Sequence, residues 1–573
     1  MKHPLLLIII FFCFFCPKNT VAQIGWQWGK TVTQRCSGID CLSEFLTNNV
    51  TDKNGNAISS GYIGDGDSIL FGSFWLRGEP GYNPQLFITK MDSSGNYLWV
   101  KGSHFANAEP MQITTDSAGN IYLLGYYYNF SGICSISLDT FILTNSDSFS
   151  YRYFMAKLSP EGNVLWAKNL GKISSTNNAG GIGVDNNGNV YVTGVFDGKS
   201  IILDTTILLN SDTSGIYTDF YIAKYDLFGN FKWAEKYGGK SGDYTEAMSV
   251  LPSGEFYLIG VSVFDSFSIG STTFDTVEAP NFLAKFNSGG IPIWVNKFLP
   301  HLYPYQIITD VKGSVFMVGF FDSSILLGSF PLTLFGDSSS SNVFVTKFDS
   351  TGHISWANSG GSGGSDMVWN ISFDSCSKNT WICGSMQNPS MNFDGHILTA
   401  PPGYVDPVFM AEFDDSGKYI TGLTLPSGGD DWLGIVVDNM GSFFVSGDYY
   451  SISMIFGADT LSDPTTLEAF FVAKYKYDTL HCPTTLQTET SMKSSNITLY
   501  PNPSPGNIII DFNTPNPQPF KLELFDLTGR LLRTYSNVGN GSEISLPDFA
   551  AGLYQCKIIC ADGSCYYRKL VLR

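Results

Sequence analysis

Apolar residues in this chain come in short runs, each closed by a turn rich in Gly and Asn. Residues 180–239 show the order. Gly181-Ile182-Gly183-Val184-Asp185 is followed by the turn Asn186-Asn187-Gly188-Asn189 and then by the run Val190 to Phe196. A longer insert holds Ile201-Ile202-Leu203 and Ile207-Leu208-Leu209. The run Phe220 to Tyr225, the turn Phe228-Gly229-Asn230 and the run Phe231 to Ala234 follow, and Gly238-Gly239 ends the unit. Gly and Asn accept positive φ at tight turns, and runs bounded in this way read as strands joined by hairpins. The unit predicts an antiparallel sheet of four strands, with an extra hairpin in the insert.

The same phrase recurs along the chain. A Lys anchors the third run at 90, 157, 224, 285, 347 and 474, with Glu412 in the remaining copy, so the spacing is 61 to 67 residues. Trp99, Trp166, Trp233, Trp294 and Trp356 each follow their Lys by nine residues, whereas the copies at 412 and 474 lack the Trp. A fixed period in seven copies marks a repeat architecture. The second runs, such as Ile121-Tyr122-Leu123-Leu124-Gly125 and Val315-Phe316-Met317-Val318-Gly319, are apolar on both faces. Such strands need cover on both sides, which sheets flanking one another around an axis provide. A β-solenoid usually has shorter coils and lacks this four-strand grammar. The seventh copy stops at Lys474-Tyr475-Lys476-Tyr477 without a fourth strand, and the matching Trp segment stands at Trp26-Gln27-Trp28-Gly29-Lys30. The expected fold is all-β: a seven-bladed β-propeller over 23–480, closed by the N-terminal strand. Trp28, Trp99, Trp166, Trp233, Trp294 and Trp356 are expected to be structural residues packed between blades.

The order Asp-x-x-Gly-Asn, Val-Tyr-Val-Thr-Gly, Phe-x-x-Lys, Gly-x-x-x-Trp and Gly-Gly, carried by residues from about 26 to 478, resembles the SBBP family of seven-bladed propeller repeats in bacterial secreted proteins. That resemblance implies a fold and no reaction. A Thr/Ser-rich stretch reads as a linker over 481–495, and alternating strands over 496–573 predict a small β-sandwich. Its segments Leu499-Tyr500-Pro501-Asn502-Pro503, Leu522 to Arg530, Leu546 to Tyr554 and Arg568 to Arg573 resemble the sorting domain read by the type IX (Por) secretion system. The resemblance implies that machinery as a partner, export across the outer membrane, removal of the domain in or near the linker, and attachment to the cell surface.

Composition adds the compartment. Lys2 and His3 precede an unbroken apolar run, Leu5 to Cys16 apart from nothing polar, and Thr20-Val21-Ala22 before Gln23 offers a cleavage site, so 1–22 reads as a secretory signal. A lipoprotein signal at Cys16 would need small residues before the Cys, where this chain has Phe14 and Phe15. No later segment reads as transmembrane. The net charge of −18 argues against nucleic acid or an anionic bilayer as a partner of the general field. Nine cysteines remain after the signal; Cys36 and Cys41 are the leading disulfide candidates in an oxidising compartment, followed by Cys376/Cys383 and a bridge among Cys556, Cys560 and Cys565.

The candidate chemistry is thin. Cysteine spacing and scattered His do not form a zinc site. Asp-rich turns such as Asp52 to Asn56, Asp185 to Asn189 and Asp65-Gly66-Asp67 carry oxygen ligands for Ca²⁺, but a hairpin turn explains them without a metal, so no cofactor is expected. The Gly-x-x-x-Trp motif lacks the eight blades and adjacent cysteines of quinoproteins, and the Asp92/Gly95/Trp99 offsets miss a sialidase Asp-box. Gly360-Gly361-Ser362-Gly363-Gly364 satisfies the nucleophile-elbow pattern in letters, but it sits in an inter-blade loop and not in a strand-turn-helix. Variable loops on a rigid frame are where binding usually sits, which makes the inserts near 197–218, 262–279, 321–341 and 386–406 the candidate face. Tyr126-Tyr127-Tyr128 and Tyr449-Tyr450, at the start of two inserts, are either sugar-stacking or packed rim aromatics. The leading expectation is a secreted or surface scaffold that binds glycan or protein without catalysis. The alternative is an extracellular polysaccharide-acting hydrolase or lyase with a carboxylate pair at the propeller centre.

Overall fold

The computed structural model describes residues 24–573 apart from 36–45, 65–66, 82–83, 130–132, 148–149, 174–179, 263–267, 275–280, 338, 401–405, 426–432, 439, 451–452, 463–467, 478–496, 513–518, 526–530, 547, 551 and 560–564. The signal segment 1–22, the Ala22/Gln23 junction, Cys36, Cys41 and the linker core fall outside the described residues. The chain divides into two compact units, Met1–Cys482 and Pro483–Arg573. Among the described residues all regular structure is β.

The first unit is a propeller-like array of antiparallel sheets, numbered here along the chain. Sheet three shows the plan: Gly180–Val184, Val190–Phe196, Asp219–Tyr225 and Phe231–Tyr237 pair in chain order. The same order runs from Leu46–Thr51 to Tyr97–Gly102 (sheet one), Asn107–Thr115 to Val164–Ile173 (two), Asp243–Val250 to Pro292–Phe298 (four), Leu302–Thr309 to Ile354–Gly361 (five) and Met367–Phe373 to Tyr419–Leu425 (six). Sheet seven takes Leu433–Val437, Ser442–Tyr450 and Glu468–Lys476 from its own stretch and its fourth strand, Gly25–Arg35, from the N-terminal region. There Trp28 lies opposite Lys474 and Thr31 opposite Phe471. Each first strand packs against the first strand of the next sheet, and Leu433–Val437 packs against Leu46–Thr51. Two hydrogen bonds join that last pair of sheets: Thr51 Oγ1 donates to Val437 O at 2.9 Å, and Asn49 Nδ2 donates to Ser446 Oγ at 2.5 Å.

The doubly apolar runs are the middle strands. Val190–Phe196 is buried along its whole length, and so is Gln85–Met91. The inserts are not loop throughout: among the described residues, each of the four segments named above holds a short two-stranded hairpin. Examples are Ser200–Leu203 with Thr206–Leu209, and Ser390–Phe393 with His396–Thr399. These hairpins lie against the outer strands of their own and neighbouring sheets. Their alternating apolar residues need cover, and the fourth strands have a bare flank that supplies it. Ile201 fills the space above Gly171, and Phe393 that above Gly360, where any Cβ would collide.

What orders the sheets is the Lys/Trp/Gly phrase. Lys and Trp are directly opposite on strands three and four, as in Lys90 with Trp99 and Lys347 with Trp356. Both reach the tight turn between strands three and four of the following sheet. The indole N–H groups of Trp28, Trp99, Trp166, Trp294 and Trp356 donate to the carbonyls of Ser93, Pro160, Leu227, Ser350 and Asp415 at 3.0–3.3 Å. Lys90 Nζ donates to Pro160 O at 3.0 Å and Lys224 Nζ to Ser288 O at 3.1 Å. Each ring rests on the glycine of that turn: Trp28 on Gly95, Trp99 on Gly162, Trp166 on Gly229, Trp233 on Gly290, Trp294 on Gly352 and Trp356 on Gly417. These glycines have φ between +78° and +91°, so they serve both the turn and the indole.

The departure at 412 has a structural reason. Sheet seven has no turn joining strands three and four, because its fourth strand arrives from the other end of the chain. Sheet six therefore has no acceptor turn to grip, and it carries Glu412 and Thr421 where the others carry Lys and Trp. Tyr477 covers this seam instead: its hydroxyl donates to Asp374 Oδ2 at 2.7 Å and its ring lies 5.2 Å from Trp381. The turns between strands one and two are tied to the same lysines. Asp52 accepts the N–H groups of Asn54 and Asn56 and pairs with Lys90 at 2.9 Å; Asp438 pairs with Lys474 at 3.0 Å. Sheet four has Leu251 in place of the Asp, and its Lys285 pairs with Glu255, four residues on, at 2.9 Å. Both carboxylate oxygens of Asp52 are thus taken by the chain itself, Oδ2 also accepting from Asn56 Nδ2 at 2.9 Å.

The second unit is a sandwich of a three-stranded sheet, with Ile497–Tyr500, Asn507–Phe512 and Glu543–Ser545, and a four-stranded sheet, with Leu531–Val538, Phe520–Phe525, Gly552–Ile559 and Cys565–Leu572. Ile508, Ile510, Leu522, Leu524, Ile558 and Leu570 fill the space between them. The Tyr500 to Ser504 turn is laced to the last strand: Ser504 N donates to Val571 O at 2.7 Å and Arg573 N to Ser504 O at 2.9 Å. Cys134, Cys376, Cys383 and Cys556 carry no disulfide, which corrects the expected Cys376/Cys383 bridge and leaves Cys556 out of any C-terminal one. Cys383 and Cys556 are buried in separate cores, where apolar packing accounts for them.

Gly162→Ala tests the seam. An added Cβ would come within 2.9 Å of the Trp99 ring at a φ of +83°. The expected result is a loss of about 1–2 kcal/mol from the left-handed backbone alone, with more from the displaced indole, read from urea denaturation. Gly198→Ala, whose Cβ meets nothing within 4 Å at a φ of +74°, should cost only the backbone part.

Candidate functional site

The first strands of all seven sheets line one cavity of about 350 Å³. Its lining is amide, hydroxyl and apolar: Asn48, Gln112, Gln306, Asn370, Thr51, Thr115, Ser249 and Ser372 among Val, Ile, Met and Phe373. Among the described residues no ionisable side chain lines it. The polar groups stitch strand to strand. Thr115 Oγ1 donates to Thr51 O at 3.2 Å, Val437 N donates to Ser372 Oγ at 3.0 Å, Asn48 Nδ2 donates to Met111 O at 2.8 Å, and Ile182 N donates to Gln112 Oε1 at 2.7 Å. Ser249 and Thr309 share a hydrogen bond of 2.9 Å. The cavity wall is therefore neutral, and much of its hydrogen-bonding capacity is spent on its own cohesion. A carboxylate pair at the centre, which the hydrolase or lyase reading needs, is not among these lining residues.

Ionisable and aromatic groups stand instead at the insert end of the same strands. In sheets one, two, four, five and six the first strand carries a β-bulge at the same place, and the extra residues are Thr47, Met111, Glu246, Tyr305 and Trp369. A bulge re-aims its extra side chain away from the regular alternation. Each of these residues comes one or two positions before a residue that lines the cavity: Asn48, Gln112, Met248, Gln306 and Asn370. Tyr305 and Trp369, both half-buried, meet edge to face with ring centroids 6.1 Å apart. Glu246 is open to solvent yet surrounded by protein, and desolvation raises its carboxyl above the usual range. Burial, with the nearby Glu246 charge, pushes the Tyr305 phenol up to about 12. On sheet two, desolvation likewise raises Glu109, partly offset by the 2.5 Å hydrogen bond it accepts from the Tyr126 hydroxyl. The arrangement offers a half-exposed aromatic pair and one carboxyl group held toward its neutral form: a surface for stacking and hydrogen bonding.

The residues expected from sequence fall elsewhere. Trp28, Trp99, Trp166, Trp233, Trp294 and Trp356 sit at sheet seams. Tyr126 and Tyr127 are buried, and Tyr127 donates to Asn169 Oδ1 at 2.9 Å, so these two are packed residues; Tyr128 is half-buried against Tyr151, with centroids 4.7 Å apart. The side chains of Tyr449 and Tyr450 lie outside the described ones. Ser362 donates to Asp366 Oδ1 at 2.5 Å, and Asp366 Oδ2 accepts Ser362 N at 2.6 Å. Asp243 takes Gly239 N in the same way at 2.6 Å, so this Gly-Gly loop and its buried Asp form a recurring structural clamp. The bulge residues were missed because a bulge breaks the alternation of two without leaving a mark in composition.

The comparisons with known proteins bear mainly on the second unit. Residues 498–573 match the secretion system C-terminal sorting domain. This is the part recognised by the type IX secretion machinery, and the protein is secreted or attached to the outer cell surface. The chain is similar to an uncharacterized WD repeat-containing protein of Acanthamoeba polyphaga mimivirus, 23% identical over 288 residues, which cover 43% of this chain and 20% of that protein. The chain thus spans about a fifth of the length of this curated relative. Among solved structures, a mutant Synechocystis apocarotenoid oxygenase is 10% identical over 72% of this chain and 91% of its own, with a TM-score of 0.32. The extracellular domain of a putative one component system from B. thetaiotaomicron is 11% identical over 92% of this chain and 86% of its own, with a TM-score of 0.17. Among the described residues no helix is long and apolar enough to cross a membrane.

The clamp gives a pH test. Burial pushes the Asp366 carboxyl up to about 6 from 3.8, against the opposing hydrogen bonds from Ser362, Gln387 and Asn342. A folded value above the unfolded one means that its contribution is fullest below the unfolded value and falls as pH rises through about 6. Relative to Asp366→Asn, the parent protein should lose about 2–3 kcal/mol between pH 4 and pH 7, at about 1.4 kcal/mol per unit. Urea denaturation of both proteins across that range measures the difference.

Proposed function

We propose that the first unit is a seven-bladed, SBBP-type propeller closed by its N-terminal strand, which binds a glycan or protein ligand without catalysis at the cell surface. In this reading, residues 1–22 are the signal, 23–480 the propeller and 481–495 the linker before the sorting domain. The pairing of Gly25–Arg35 with Glu468–Lys476 and the Trp28 indole on Gly95 support closure. If the ring is closed, Trp28→Ala removes a seam contact equivalent to that of Trp99 and costs about 3–5 kcal/mol, as large aromatic truncations do. If the first strand were an unengaged edge, Trp28→Ala would cost far less than Trp99→Ala in the same denaturation experiment.

The binding reading is carried by one observation: the central cavity is lined by neutral groups, while the aromatic pair Tyr305/Trp369 and the carboxyl of Glu246 stand at the insert end of its strands. Binding to the axial mouth engages surfaces that need no reacting pair. The hydrolase or lyase alternative needs a second carboxylate beside Glu246, in the role that paired acids play. A screen of the full chain against a glycan array and cell-surface protein extracts should yield a ligand whose affinity drops at least tenfold in Trp369→Ala, with the melting temperature retained. Release of reducing ends or unsaturated sugars, abolished by Glu246→Gln, would replace the binder with the enzyme.

A further inference from the structure

A second cavity, of about 430 Å³, lies at the turn end between sheets five and six. Lys312, Lys347 and Lys378 line it together with Asp310 and Asp415. Three ammonium groups on one cavity run against the general field of a chain with net charge −18. The two carboxylates do not absorb them all. Asp415 is engaged by Lys347, and Asp310 accepts the backbone N–H groups of Lys312 and Ser314 at 2.9 and 2.8 Å. Among the described residues Lys312 and Lys378 form no ion pair.

Lys378 carries a second mark. Its φ is +63°, in the left-handed region that strains a long side chain. The matching turn position in the other six sheets is glycine: Gly55, Gly119, Gly188, Gly254, Gly313 and Gly441. The turn of sheet six is one residue longer than these, and Lys378 N donates to Asp374 O at 2.8 Å to close it. A strained non-glycine residue held by its surroundings is characteristic of functional positions, and here the strain delivers a cation to the cavity wall. Phe373 adds a half-buried ring, stacked on Phe316 at 4.6 Å. Phe373 and Ile308 also line the central cavity, so the two cavities are neighbours with a common wall.

We propose that this cavity is a second binding site, which takes an oxyanion-bearing sugar unit of an acidic glycan: its carboxylate or sulfate between Lys312 and Lys378, its ring face against Phe373. An aromatic wall beside paired cations suits a charged sugar ring better than a carboxylate on a peptide chain, since the ring brings an apolar face and the anion together. This site does not depend on the axial mouth.

Titration calorimetry of the full chain with oligogalacturonate, dextran sulfate, neutral dextran and polyglutamate tests it. Saturable binding is expected for oligogalacturonate or dextran sulfate, which distinguishes carboxylate from sulfate, with neutral dextran and polyglutamate at least tenfold weaker. Lys312→Ala and Lys378→Gly should each weaken the acidic glycan at least tenfold, and Lys53→Ala, in the corresponding turn of sheet one, should not. Lys378→Gly also relieves the positive φ, so its melting temperature should equal or exceed that of the parent, which separates lost binding from lost folding. No saturable binding of either acidic glycan, binding that survives both variants, or polyglutamate binding as tightly as the glycans would overturn the proposal.

Discussion

An indole lying flat on a glycine of the next sheet is the contact on which the first unit depends. The strands of one sheet hold one another through backbone hydrogen bonds, but nothing in that ladder says where the neighbouring sheet must stand. The Trp does so, because its ring fits only over a turn residue without a Cβ and its N–H fits only a carbonyl of that same turn. The Lys directly opposite on the adjoining strand reaches the same turn, or the carboxylate of its own sheet's first turn. Three features that look separate along the chain are therefore one device: the Lys, the Trp nine residues later, and the glycine of the following copy. Where the acceptor turn is missing, between sheets six and seven, the Lys and Trp are missing too, and Tyr477 with Trp381 takes over the seam.

That device places the axis under constraint. Seven first strands brought together must satisfy their inward polar groups without charge, and Thr, Ser, Asn and Gln do so by bonding across to the neighbouring strand. A buried charge there would cost several kcal/mol unless paired. Chemistry is thereby displaced from the middle of the channel to its ends. At the insert end, bulges turn Glu246, Tyr305 and Trp369 out of the regular alternation. At the turn end, a longer loop swings Lys378 into the place of a glycine. The bulge recurs from sheet to sheet but its residue does not, and the turn of sheet six departs from the glycine of the others.

Export adds a second constraint. The sorting domain is a small sandwich whose apolar core is complete in itself, and its Tyr500 to Ser504 turn is fastened to the last strand by backbone hydrogen bonds. An independent core lets the address be read without using the propeller-like unit. The apolar inserts serve the same economy: as rim hairpins they cover the outer strands and do not crowd the axis.

The amino-acid sequence by itself determined the repeat, the antiparallel sheet of each copy, the Trp/Lys phrase and the sorting module, because these rest on short-range periodicity and turn chemistry. It also placed the strand bearing Trp28 beside Phe471, since a phrase missing from one end and present at the other has one economical pairing. The tertiary structure decided the rest. The partner of each Trp is a glycine about sixty residues away, and no local pattern names it. The inserts became rim hairpins because the flank of the fourth strand is bare only once the sheets are assembled. Glu246, Tyr305 and Trp369 share a place only through bulges in three separate sheets, and Lys312 and Lys378 share a cavity only because sheets five and six are neighbours. Periodicity reports what each strand buries; which side chains meet across an axis depends on distances that exist only after the sheets have packed.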